Sequence, residues 1–319
     1  MTRPSIVSRY AAVVCDLDGV VYRGPTAVPG AVEALSGLDV PVLYATNNAS
    51  RPPGEVAEHL RRLGLQCEPD AVATSSQAGA WLLRERVEAG SRVLAVGGVG
   101  VGLALEEAGL QPVSPDGAAN ATPLAAVLQG YGPGVSATDL AEAAYAIQGG
   151  ALWVATNTDS TLPTDRGVAP GNGSLVGAVA NAVGRDPDVV AGKPAPPLYL
   201  LCAERLDVEP AAMLAVGDRL DTDIEGAVTA GIDSLFVLTG VDDLAACLAA
   251  PAGRRPTWVA PDLAALHEHP DDTDRGASLA DLAAAVAAVH TAADAGQSPA
   301  TLASLSERAQ RVLSGVARR

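Results

Sequence analysis

The hydrophobic and polar positions of this chain follow two rhythms. Short unbroken apolar runs stop abruptly on polar residues, and stretches with helical spacing lie between them. Ala11-Ala12-Val13-Val14-Cys15 is the first such run, and Pro41-Val42-Leu43-Tyr44-Ala45 is the second. A continuous apolar run of this length predicts a strand buried on both faces, as in a parallel sheet. Pro29 to Leu38 has helical periodicity, so the three segments together predict a β-α-β unit. Pro52-Pro53 after Ser50 predicts a helix start, and Gly64 after Leu63 predicts its stop. Farther along, Ala211 to Val216 reads as a strand. A helix from Thr222 to Ala230 closed by Gly231 follows, and then a strand from Ser234 to Leu238.

Between Thr46 and Lys193 lies far more chain than one crossover connection requires. Strands are predicted there at Arg92–Val96, Ala125–Gln129 and Leu152–Ala155, with helices near 100–109 and 137–148. The expected organisation is therefore a discontinuous α/β core, residues 1–78 and 189–269, with a second α/β domain, residues 79–188, inserted into it. After Pro270 the composition shifts. Asp271-Asp272-Thr273-Asp274 reads as a linker, followed by Ala-rich helices near 278–293 and 298–317, the second starting at Ser298-Pro299. The region 270–319 is expected to pack on its own core.

Composition narrows the classes of function. The formal charge of −16 over 319 residues argues against nucleic acid and anionic membranes, which both require a basic face. No run of 18 apolar residues and no basic segment leading into an apolar one is present, so a cytoplasmic protein is expected. The four cysteines, Cys15, Cys67, Cys202 and Cys247, are scattered without CxxC spacing and are expected to be buried thiols. One basic residue stands out. Lys193 is a single lysine among 21 lysines and arginines. A chain that writes arginine wherever charge suffices keeps a compact ammonium here, which suits a place too narrow for a guanidinium fork.

Four polar segments fall at or beside strand ends: Asp16-Leu17-Asp18-Gly19-Val20, Thr46-Asn47-Asn48, Gly192-Lys193-Pro194 and Gly217-Asp218 through Asp223. The carboxyl edge of an open α/β sheet is where ligands bind. Past a strand end the alternation of side chains lapses, so Asp16 and Asp18 can serve one pocket in different roles. Taken singly, each residue could equally be a turn or cap residue. In this order and at these strand ends they resemble the four motifs of the haloacid dehalogenase-type phosphatases, and the insertion resembles that of the branch with a large C2 cap. Thr46-Asn47-Asn48-Ala49-Ser50 and Pro170-Gly171-Asn172-Gly173-Ser174 resemble the nitrophenylphosphatase, phosphoglycolate and glycerol-phosphate phosphatase subgroup. The resemblance covers about residues 10–266 and leaves the tail unexplained.

The resemblance implies an α/β fold: a Rossmann-like parallel-sheet core, an inserted α/β cap of C2 type and a helical C-terminal extension. It implies Mg²⁺-dependent hydrolysis of small phosphate monoesters through an aspartyl-phosphate. Asp16 would be the nucleophile, and Asp18 the acid that protonates the leaving oxygen and then activates water. Asp16, the Asp18 backbone carbonyl and Asp218 would hold Mg²⁺. Thr46, Lys193 and the backbone N–H groups near Asn47 would bind phosphate oxygens, and Asp223 would orient Lys193 or a metal-bound water. Asp221, two residues before Asp223, could be mistaken for it. On the cap, Asn157, Asp165, Arg166 and Asn172 are candidates to face substrate.

A cap over a strand-end site favours small phosphorylated metabolites over phosphoproteins. Glycerol 3-phosphate is the preferred substrate, with phosphoglycolate, sugar and nucleotide phosphates as alternatives. A homodimer formed through the cap is also implied. A phosphomutase would return the phosphoryl group to substrate, and a phosphoacceptor signalling module would store it. The carboxylate of Asp18, which speeds hydrolysis, favours turnover over storage.

Overall fold

Strand β1 (Ala12–Cys15) is buried at all four positions, as its unbroken apolar sequence requires, and a parallel strand pairs with it on each side. The computed structural model describes residues 4–121, 123–164, 166–273 and 277–317. After β1 come the short hairpin β2 (Tyr22–Arg23) and β3 (Thr26–Ala27), then β4 (Val42–Thr46) and β5 (Val72–Thr74). Next are β6 (Arg92–Val96), β7 (Gln111–Val113), β8 (Ala126–Gln129) and β9 (Leu152–Ala155). The antiparallel pair β10 (Thr161–Thr164) and β11 (Gly167–Pro170) precedes β12 (Val189–Val190). The last three strands are β13 (Met213–Gly217), β14 (Asp233–Val237) and β15 (Trp258–Ala260). The chain divides into two compact units, Met1–Tyr44 with Leu60–Gln66 and Cys202–Arg319, and Ala45–His59 with Cys67–Leu201.

In the first unit β15, β14, β13, β1 and β4 lie side by side in that order, all parallel. Cys15 sits opposite Val216 on one side and Tyr44 on the other. This register brings the residues that follow β1 and β13 out at the same edge of the sheet. The helix Glu225–Ala230 ends at Gly231, whose φ of 71° supplies the left-handed stop that the sequence predicted. Its start differs from the expected Thr222. Leu220–Ile224 forms a π-helical turn first, in which the Asp223 carboxylate accepts the Arg219 N–H at 3.1 Å.

The tail belongs to this unit. Ser278 and Asp281 form a capping box at the start of the helix Leu279–Asp294, and Ser298-Pro299 opens the helix Pro299–Val316. The first of these helices buries Leu282, Val286, Val289 and His290 and packs against β15 and the helix Leu244–Leu248. Arg255 joins it through two hydrogen bonds to the Asp294 carboxylate, at 2.6 and 2.7 Å.

In the second unit a five-stranded sheet runs β12-β9-β8-β6-β7, parallel throughout. Trp153, Leu94, Val127 and Val179 centre its core, and the Trp153 indole N–H donates to Gln129 Oε1 at 3.0 Å. The segment 156–174 contains the β10–β11 pair and the start of the helix Asn172–Val183. All four cysteines are buried thiols. Among the described residues, no helix is long and apolar enough to cross a membrane.

Candidate active site

Asp16 directly follows β1, and Asp218 directly follows β13. Asp16 N–H donates to the Val216 carbonyl at 2.9 Å, which ties the two strand ends together. The π-helical turn then places Asp223 on the same side. One carboxylate oxygen from each of Asp16, Asp218 and Asp223 can be chosen so that all lie within 4.8 Å of one another. Asp218 and Asp223 are buried, and Asp16 is half-buried.

The Asp218 carboxylate is held closely. Its Oδ2 accepts the Val241 N–H at 2.7 Å. A Cβ on either Gly19 or Gly240 would overlap its oxygens, so two backbones approach it where only glycine fits. Gly19 also has φ +87°, a conformation that glycine adopts without strain. Gly217 stands in the same relation to the Asp223 carboxylate. Three carboxylates at this spacing repel one another, and an all-oxygen donor set suits a hard divalent cation. The residues present therefore fit Mg²⁺.

Asp18 is exposed, and its carboxylate is not one of the three. It pairs with Tyr22 in a single bridge that turns the chain back through Gly19. Asp221 turns away to Arg219, which reaches its two carboxylate oxygens at 3.1 and 3.0 Å. Asp223, not Asp221, is the member of the cluster.

In the second unit Lys193 is 2% exposed, and its Nζ donates to the Ala45 carbonyl at 3.2 Å. The Asn47 side chain grips the Lys193 backbone from both sides. Its Oδ1 accepts the Lys193 N–H at 2.8 Å, while its Nδ2 donates to the Lys193 carbonyl at 2.9 Å and to Asp159 Oδ2 at 3.2 Å. A Cβ on Gly192 would meet Asn47 Oδ1 and the Thr156 carbonyl, so this approach also requires glycine. The Asn47 carbonyl accepts from Ser75 Oγ and Asn157 Nδ2, both at 2.7 Å. Thr46 is buried, and its hydroxyl accepts the Asn48 N–H at 3.1 Å, which leaves its proton to be given to another acceptor.

The other expected cap residues separate into distinct places. Asn172 is buried, and its Nδ2 donates to the Asn157 carbonyl at 2.7 Å, so it supports the segment that supports Asn47. Arg166 is exposed in the β10–β11 connection, where its N–H donates to Thr164 Oγ1 at 3.3 Å. Asp165 lies outside the described residues. Sequence reasoning missed Ser75. The capping box Thr74-Ser75-Ser76-Gln77 that follows β5 was the available signal.

Comparison with known proteins places these features among described families. A model described as haloacid dehalogenase-like hydrolase matches residues 13–111, and a second, described as HAD-hydrolase-like, matches residues 190–266. The chain is 46% identical over 269 residues to the D-glycerol 3-phosphate phosphatase of Mycobacterium tuberculosis, covering 83% of this chain and 73% of that protein. The crystal structure of glycerol phosphate phosphatase from the same organism, in complex with magnesium, aligns with a TM-score of 0.79 at 46% identity, over 84% of this chain and 79% of that one. The p-nitrophenyl phosphatase of Archaeoglobus fulgidus aligns with a TM-score of 0.72 at 26% identity, over 80% of this chain and 97% of that one.

Proposed function

The chain belongs to the haloacid dehalogenase-like hydrolases, and from that premise we propose that it is a Mg²⁺-dependent phosphatase that hydrolyses glycerol 3-phosphate through an aspartyl-phosphate on Asp16. The observation that carries the reading is the group formed by Asp16 and Asp218, at the ends of two adjacent parallel strands, and Asp223, in the turn that follows the second. The relative named for D-glycerol 3-phosphate supports the choice of substrate.

Asp16 attacks phosphorus, and the bond to the ester oxygen breaks as its own bond forms. Asp18 protonates the departing alkoxide; it then takes a proton from the water that cleaves the acyl phosphate and restores the Asp16 carboxylate. Bound Mg²⁺ supplies charge that stabilises the phosphoryl oxygens in the transition state. Lys193 and Thr46, with the backbone at Asn47, bind those oxygens; Lys193 does so with its backbone fixed by the Asn47 amide. Asp223 stands close enough to join the metal-binding set directly, beyond its expected orienting role.

Residues 79–188 act as the cap that admits small monoesters to a core of residues 1–78 and 189–269. The resemblance also supports a cytoplasmic homodimer joined through the cap, on which Val99, Tyr145 and Val168 are exposed. Sedimentation at micromolar concentration tests the dimer. For the substrate, kcat/KM across glycerol 3-phosphate, phosphoglycolate, sugar phosphates and nucleotide monophosphates is the test, and glycerol 3-phosphate ranks first. Another compound at the head of that ranking overturns the substrate assignment.

A further inference from the structure

The loop between β14 and the helix Leu244–Leu248 touches both aspartate-bearing loops of the first unit, although none of the four motifs includes it. Thr239 Oγ1 donates to the Gly19 carbonyl at 2.8 Å. Val241 N–H donates to Asp218 Oδ2 at 2.7 Å, and Asp242 N–H donates to the Asp218 carbonyl at 3.2 Å. Asp242 Oδ2 accepts the Leu220 N–H at 2.7 Å, at the start of the turn that carries Asp223. Between Thr239 and Val241, Gly240 comes so near the Asp218 carboxylate that a Cβ there would overlap it. One short stretch of chain therefore fixes the loop after Asp16, the main chain and side chain of Asp218, and the approach to Asp223.

We infer that Thr239 and Asp242 are positioning residues for the metal, an inference that rests on the reading of Asp16, Asp218 and Asp223 as the carboxylates that hold Mg²⁺. Neither residue is assigned contact with the reacting atoms. Thr239 sets the position of the Asp16–Gly19 loop against Asp218. Asp242 sets where the turn towards Asp223 begins. Outer groups that orient metal ligands contribute to affinity because the ligand geometry is built during folding and not at binding. The effect depends on the ion. Mg²⁺ demands a near-ideal octahedron with short bonds, whereas Ca²⁺ accepts irregular and flexible oxygen sets. A loosened loop therefore costs Mg²⁺ more than Ca²⁺, and a role confined to general stability would not produce that difference.

The test is calorimetric titration of the full chain with Mg²⁺ and, separately, with Ca²⁺, in the absence of substrate. The variants are Thr239→Val, Thr239→Ser, Asp242→Ala and, as a control, Asp218→Asn. Thr239→Val and Asp242→Ala each weaken Mg²⁺ binding by about tenfold and Ca²⁺ binding by less, and Thr239→Ser restores the wild-type Mg²⁺ affinity. Circular dichroism melts establish that each titrated variant is folded, and Thr239→Ala and Asp242→Asn replace any that is not. Folded variants that keep Mg²⁺ affinity within about twofold of wild type, or lose both ions equally, overturn the inference. If the wild type binds no Mg²⁺, or Asp218→Asn binds it as well, the metal reading falls and this inference falls with it. If those controls behave and Thr239→Val is unchanged, the inference alone is wrong.

Discussion

Asn47 holds Lys193 by its main chain: the amide oxygen takes the Lys193 N–H at 2.8 Å, and the amide nitrogen gives to the Lys193 carbonyl at 2.9 Å. A side-chain amide thus does for one residue what a neighbouring strand does for many. The same nitrogen reaches Asp159, and the Asn47 carbonyl is held by Ser75 and Asn157. The main chain that carries the Lys193 ammonium is thereby placed by a lattice of short polar side chains.

Replacing Asn47 by Asp exchanges a donor for an acceptor that faces the Lys193 carbonyl and the Asp159 carboxylate. At least one buried group is then left unsatisfied beside a like charge. Asn47→Asp is expected to lower kcat/KM by about ten- to a hundredfold, and Asn47→Ala by less, since alanine removes the bonds without adding repulsion. Steady-state kinetics on both variants checks the order.

Lys193→Arg preserves charge and changes shape. Lys193 is 2% exposed, so a wider guanidinium would have to displace its neighbours, and the ammonium already donates to the Ala45 carbonyl. A fall in kcat/KM of about two orders of magnitude or more is expected, with a lower melting temperature because the buried site must accommodate the larger group. Near-normal turnover in this variant would remove the reason for a lysine here.

Asp221 and Asp223 differ by two positions and by everything in their surroundings. Asp221 is paired with Arg219, while Asp223 joins Asp16 and Asp218. Asp223→Asn is expected to weaken Mg²⁺ binding by about tenfold or more, and Asp221→Asn to leave it within about twofold. Titration calorimetry on the two variants separates them, and equal behaviour contradicts the assignment.

The tail confers a pH dependence on stability. His290 is 6% exposed and bonded through Nε2 to the Cys247 carbonyl at 2.8 Å. Burial holds its pKa below the ordinary value of 6.5. Arg255 pushes in the same direction, while the Cys247 carbonyl and Asp294 oppose it. The unfolded chain therefore takes up the proton first. The stabilising contribution is complete above 6.5 and is lost as pH falls from there through the folded pKa. Melting temperatures between pH 8 and 5 should fall more steeply for wild type than for His290→Gln; identical slopes would contradict this.

Much of the fold was legible because apolar runs in a parallel sheet carry no ambiguity of face. β1, β4, β6 and β9 lie within a residue or so of where the runs placed them, and Gly231 stops its helix as expected. β12, two residues long, and β10–β11, carrying Pro163 and Pro170, lacked a run or an alternation to announce them. Asp16 and Asp218 stood out in the sequence because each directly follows an apolar run, Thr46 because it ends one, and Lys193 because it is the single lysine. The Asn47 bracket and the Thr239–Asp242 loop did not. Both consist of ordinary polar residues whose partners are distant in sequence, 146 positions away for Lys193 and 220 for Gly19. Only the register of the sheets and the turns beyond them brings such pairs together.

The most direct test of the central claim is phosphate release from glycerol 3-phosphate by wild type and Asp16→Asn, each in Mg²⁺ and in EDTA. Wild type is expected to release phosphate only with Mg²⁺, and the variant to lose turnover by several orders of magnitude while melting at about the wild-type temperature. Release that persists in EDTA, or in a folded Asp16→Asn protein, would contradict metal-dependent catalysis through an aspartyl-phosphate at Asp16.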